Sequence, residues 1–132
     1  MKTIYICMPY RGKNADDATP EEIQANIMDA MRVSNDIVKK FPEISPYCPH
    51  GCEELAPLNE AWRNGEVSTA YIMIQCIDKL EECDAILIIG DETDGMKLEH
   101  EYSNRHGIVV YQYPQWDYET MKQFAYDWLS CQ

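Results

Sequence analysis

Hydrophobic and polar positions follow two distinct periods along the chain. Ile4, Ile6 and Met8 alternate with Tyr5 and Cys7 in a near-continuous apolar run. Such a run suits a parallel strand buried on both faces. Pro9-Tyr10-Arg11-Gly12 ends it, and a polar loop follows. Thr19-Pro20-Glu21-Glu22 is a helix start, with Thr19 as N-cap, Pro20 at the first helical position and Glu22 closing a capping box. Ile23, Ile27, Met31, Ser34 and Val38 then recur every three or four residues, so one face is buried as far as about Lys40, before Pro42. Ile44–Cys48 is a weaker strand, and Pro46 points to an edge position. Residues 49–65 form a long excursion, partly helical over Glu53–Trp62.

The second half has the clearer signals. Val67, Ala70, Tyr71, Ile74, Ile77 and Glu81 lie at helical spacing, with Leu80 beside them, and predict a core helix ending near Cys83. Asp84–Gly90 is the clearest strand, because its run of large aliphatic residues suits the centre of a parallel sheet. Asp91–Gly95 is read as a turn and Met96–His106 as a polar helix closed by Gly107. Ile108–Tyr111 is another strand, and Met121, Phe124, Ala125, Trp128 and Leu129 form the stripe of a terminal helix. Strand and helix alternate throughout. This order predicts one α/β domain over residues 1–132. Its doubly wound, mostly parallel sheet has four or five strands, with helices on both faces. Right-handed crossovers put the loops at Pro9–Gly12, Pro49–Gly51 and Asp91–Gly95 on one edge, where such folds bind ligands.

Composition narrows the partners. The formal net charge is −12, opposite to what a general binder of the phosphate backbone needs, so no nucleic-acid polymer is expected. A small anion remains compatible, because one arginine and a few backbone amides make a local site. No apolar run reaches the roughly 18 residues of a membrane span, so no membrane partner is expected. The opening residues read as a first strand, not a signal peptide. The six cysteines are read mainly as buried thiols of a reducing, cytoplasmic compartment.

Glu99 is the first candidate for chemistry. The run Gly90–Glu99 leaves a central strand, turns at glycine and enters a helix. The carboxylate is expected to face the cleft from the first turn, with the positive helix end favouring its ionised form. Such a group attacks a sugar carbon or stabilises an oxocarbenium ion; the plainer reading is one acid among many near a helix start. Asp91 leaves the strand at the same end, suited to a sugar hydroxyl, whereas Asp84 starts the strand and reads as a cap at the opposite edge. Arg11 suits a phosphate or a surface ion pair, and Thr93 offers a hydroxyl to the same anion. Cys48-Pro49-His50-Gly51-Cys52 lacks the spacing of a zinc knuckle, and no metal or cofactor is expected. His50 either lines the cleft or bonds a loop.

Tyr5–Gly12, Asn26, Ala30, Pro49-His50, Cys83-Asp84, Gly90-Asp91 and Gly95–Glu99 together resemble the nucleoside 2-deoxyribosyltransferase-like superfamily, and within it a small bacterial and phage branch. The likeness spans about residues 3–111 and implies a Rossmann-like, flavodoxin-like fold. It also implies N-glycosidic cleavage or base transfer on a nucleotide or nucleoside. Glu99, four residues after Gly95, matches the family's nucleophile, with Asp91 as a second catalytic carboxylate. Arg11 and Thr93 match the holders of a 5′-phosphate. Tyr5, Pro9, Gly12, His50, Gly95 and Met96 match further substrate-binding positions. A homodimer or larger homo-oligomer is implied as well. Two positions depart from the pattern: Cys76 stands where the enzymes carry a helix aspartate, and Met8 where a glycine is common. A nucleotide-binding or sequestering module without turnover is the alternative function, and a protein-interaction domain is a third.

Overall fold

The computed structural model describes residues 1–11 and 17–131. Gly12 and most of the polar loop after it lie outside the described residues. The elements follow the order β1 (Lys2–Cys7), α1 (Pro20–Lys40), β2 (Ile44–Tyr47), α2 (Ala56–Arg63), α3 (Thr69–Glu81), β3 (Ala85–Ile89), α4 (Asp94–Arg105), β4 (Val109–Tyr113) and α5 (Tyr118–Ser130). The four strands are all parallel and lie in the order β2-β1-β3-β4. The fold is thus α/β and doubly wound, as the alternation predicts.

Side-chain alternation sorts the core into two layers. Ile4, Ile6, Met8, Leu87 and Ile89 face α1 and α5, against Val33, Ile37, Phe124 and Trp128. Tyr5, Cys7, Ile86 and Ile88 face α3 and α4, against Leu80, Cys83 and Met96. Every residue of β3 is buried. Each such aliphatic side chain contributes roughly 1.5–3 kcal/mol by leaving water. β2 is an edge strand, which accommodates Pro46 opposite Ile4 without breaking the ladder.

The helix ends follow their local chemistry. Thr19 Oγ1 accepts the Glu22 amide at 3.1 Å, and Pro20 opens α1. α1 closes at Phe41, whose amide donates to the Ile37 carbonyl at 2.8 Å. Gly107 follows α4 with φ +71°, a left-handed C′ position. Several boundaries differ from the sequence reading by one to three residues: α2 runs Ala56–Arg63 and β4 extends to Tyr113. α4 begins at Asp94, not Met96, because Thr93 is its N-cap and accepts the Met96 amide at 3.3 Å. Gly95 is thereby helical, and the Met73 sulfur lies 3.5 Å from where its Cβ would stand. Among the described residues no helix is long and apolar enough to cross a membrane.

Phe124 is fully buried and meets Phe41, Tyr111, Tyr113 and Trp116 edge-on. Phe124→Ala should lower unfolding stability by about 3–5 kcal/mol in urea titration, because neighbours from α1, β4 and the β4–α5 loop cannot all collapse into the space.

Candidate functional site

The chain leaves β1 and β3 in opposite directions across the sheet, which opens a crevice between their C-terminal ends. Pro9 and Gly90 form its crest. Gly90 has φ +91°, and a Cβ there would stand 3.8 Å from Pro9 Cδ. The left-handed backbone, more than the space, demands glycine. On the α1 side, Pro9 and Gly90 line a cavity of about 350 Å³ with Asn26, Arg32 and Trp116. Asp91 is exposed on the loop that leaves the crest, at the expected edge. Asp84 lies at the other end, where its carboxylate accepts the Thr3 amide at 2.8 Å.

Glu99 lies on the opposite side of the sheet, in the second turn of α4, and only 8% of it is exposed. Cys7 Sγ stands 3.7 Å from Oε1 and donates weakly to it. Oε2 has no hydrogen-bond partner among the described residues. Burial pushes the Glu99 carboxyl up to about 7, with the Tyr5 phenol and the Cys7 thiol acting in the other direction. The expectation of a first-turn carboxylate held ionised by the helix end is corrected here. Asp94 takes the first turn, and desolvation of Glu99 outweighs the helix field.

The neighbours of Glu99 come from three elements. Tyr5 and Cys7 project from β1, and burial together with the Glu99 charge keeps both protonated. Cys76 reaches in from α3. Its thiol is pushed up to about 12, first by burial and then by Glu99, while Tyr5 acts against the shift. Ser103 Oγ donates to the Glu99 carbonyl at 2.8 Å and fixes the helix beneath it. Met96 is buried one turn earlier. The set Tyr5–Cys7–Cys76–Glu99 can hold one proton on or off a carboxyl near neutral pH, in surroundings that otherwise donate.

The remaining candidates are spread along the same edge. The Arg11 guanidinium sits 4.0 Å over the Trp62 ring and donates to the Trp62 carbonyl at 3.1 Å. It lines a cavity that does not include Thr93, whose hydroxyl serves as the α4 cap. His50 Nε2 donates to the Met8 carbonyl at 2.8 Å, and its ring stacks on Tyr10 at 4.7 Å. Burial lowers the His50 pKa, so the ring stays neutral and ties the β2 loop to the end of β1. Among the described residues no group of three or more His, Cys, Asp or Glu could hold a metal ion.

Two features escaped the sequence reading. Glu92 Oε1 accepts from His100 Nδ1 at 2.5 Å and from Gln112 Nε2 at 2.9 Å, which ties the loop after β3 to α4 and β4. Arg63 joins Arg11 at one cavity. Neither has a short-range signal, since the partners lie on different elements.

The Glu99 carboxyl makes stability depend on pH with a defined sign. Its pKa is about 7 in the fold against an ordinary value of 4.5. The folded state therefore binds the proton more tightly, and this contribution is complete below about pH 4.5 and lost as pH rises through about 7. Relative to Glu99→Gln, the native protein should lose about 3 kcal/mol of unfolding free energy across that window in urea titrations.

No curated protein and no solved structure matches the chain. One family model does match, over residues 2–113, and it covers both central strands and the whole Glu99 surround. The chain belongs to the family described as Domain of unknown function (DUF7768).

Proposed function

We propose that this domain binds a nucleotide or nucleoside and cleaves or transfers its N-glycosidic bond, with Glu99 acting at the anomeric carbon. The observation that carries this reading is the Glu99 carboxyl itself. It is buried, one oxygen is unpartnered, and it sits between Tyr5, Cys7 and Cys76 with a pKa near 7. A structural carboxyl buried this deeply normally has both oxygens bonded. An unsatisfied one awaits a partner, and a developing positive charge on a sugar ring is a chemically apt one.

In the proposed reaction the ionised Glu99 carboxylate attacks or stabilises the anomeric carbon as the C–N bond breaks. The bonding pair leaves with the base, which takes up a proton. Water or a second base then completes the exchange at the same carbon. The Tyr5 phenol orients Glu99 as a hydrogen donor, and Asp91 at the crest offers a carboxylate for a sugar hydroxyl. A homodimer or larger homo-oligomer is part of this reading.

A second reading rests on Cys76. It replaces a helix carboxylate in the resembling enzymes, and its thiol, at about 12, is a poor acid for a leaving base. A domain of this kind can bind its nucleotide without turning it over.

Incubation with a panel of ribo- and deoxyribonucleoside monophosphates and nucleosides, with and without acceptor bases, separates the two by chromatography of the released base. Catalysis predicts base release that falls about a thousandfold in Glu99→Gln. It also predicts an acid limb in kcat/KM with its midpoint near 7, since the carboxylate form is required. The binding-only reading predicts calorimetric binding that survives Glu99→Gln, with the ligand recovered unchanged. Absence of both release and binding contradicts both.

A further inference from the structure

β4 is the second edge of the sheet, and it is the less guarded of the two. It pairs with β3 alone, and among the described residues no strand lies on its other side. One bond fixes which way its backbone groups point. The Tyr113 carbonyl accepts the Gly90 amide at 3.0 Å, so Tyr113 turns its backbone groups toward β3. In an extended strand these groups alternate sides, so Tyr111 and Val109 also face β3, in register with Leu87 and Ala85. The N–H and C=O of Val110 and Gln112 therefore point outward, away from the sheet.

An open edge of this kind templates the addition of another strand, and proteins blunt it with proline, charge, a bulge or a cover. β2 is only four residues long and contains Pro46. β4, Val-Val-Tyr-Gln-Tyr, has no proline and no charged residue, and its five residues run in unbroken register with β3. Its β-branched and aromatic residues favour the extended state. Val109 leaves 42% of its surface exposed at the start of the strand. The chain has a formal net charge of −12, yet at this edge a second copy can approach without setting like charges opposite each other in the ladder.

We infer that β4 pairs with β4 of a second copy of this chain, antiparallel about a two-fold axis at Tyr111, so that the two four-stranded sheets become one. The register is self-complementary. Val110 of one copy lies opposite Gln112 of the other, and each such pair exchanges both N–H···O bonds, which uses every outward backbone group of the strand. A two-fold axis at Val110 or at Gln112 would match only one of the two residues. The contact is isologous and closes at two copies. Gln112 also braces Glu92 through Nε2 at 2.9 Å, so the paired strand is the one that steadies the loop after β3. This edge names a surface for the homo-oligomer included in the proposed function. It rests on the sheet alone and holds whether or not Glu99 cleaves a nucleotide.

Sedimentation equilibrium of the full chain from micromolar to millimolar concentration, with hydrogen exchange read residue by residue in the same samples, tests the pairing. A monomer–dimer equilibrium is expected. Protection of the Val110 and Gln112 amides should rise with the dimer fraction, while the Tyr111 amide, bonded to β3, stays protected throughout. Val110→Pro removes one outward donor and should weaken association about tenfold. Its fold should persist, because that N–H makes no bond within the sheet, and an unchanged far-UV spectrum checks this. Val109→Lys, at an exposed side chain, puts a charge on the edge and should weaken association as well. Ile74→Lys makes the same kind of change at an exposed apolar residue of α3 and should leave the dimer intact. Glu99→Gln should associate like the native protein, with or without base release by the latter. If Val110→Pro fails to fold, exchange in the native protein and the Val109→Lys variant still decide. A monomer at every concentration, a dimer whose Val110 and Gln112 amides exchange freely, or dissociation by Ile74→Lys but not by Val109→Lys overturns the proposal.

Discussion

The parallel pairing of β1 with β3 is the constraint on which the rest depends. Its register, with Ile6 opposite Leu87 and Cys7 opposite Ile88, buries both strands on both faces. Because strand side chains alternate with a period of two, a slip of one residue would turn Tyr5 and Cys7 toward α1 and α5 and bring Ile4 and Ile6 beneath α4. The site and the core are therefore specified by the same hydrogen bonds. The same pairing puts Pro9 beside Gly90 and opens the crevice where the sheet order reverses.

The competition at Glu99 is decided by magnitude. A carboxylate near a helix start gains about 0.3–1 kcal/mol, and the gain fades beyond the first turn. Raising the pKa from 4.5 to about 7 reflects roughly 3 kcal/mol in the other direction. Burial between β1, α3 and α4 wins, so Glu99 is a reluctant acid with a proton in play near neutrality. Structural carboxylates elsewhere in the chain are partnered. Asp84 accepts a backbone amide, Asp117 caps α5, and Glu92 takes two donors. Against them Glu99 Oε2 is buried without a hydrogen-bond partner among the described residues.

Much of this fold was legible along the chain because its signals are local. The capping box at Thr19, the aliphatic run of β3, the edge position of Pro46 and the left-handed Gly107 each depend on a few neighbouring residues. The placement of Glu99 on the helix after β3 was legible too, but its environment was not. Whether it faces solvent or the sheet depends on Tyr5 and Cys7, more than 90 residues away. Thr93 is a different case. A hydroxyl two residues before a glycine suits a phosphate as well as a cap, and the capping role shows only once the helix is seen to begin at Asp94. Arg11 and Arg63 converge through the α2–α3 turn, which no periodicity encodes.

Membership in a family described only as a domain of unknown function leaves the site to speak through its chemistry. The central claim is that Glu99 meets the anomeric carbon of a nucleotide. A crystal structure of Glu99→Gln with a bound nucleoside monophosphate tests it most directly. The account predicts the anomeric carbon within about 3.5 Å of the side chain at position 99, the range of a reactive approach. A nucleotide bound with its sugar directed away from that side chain, and with Tyr5 and Cys7 still closed over it, would contradict the account.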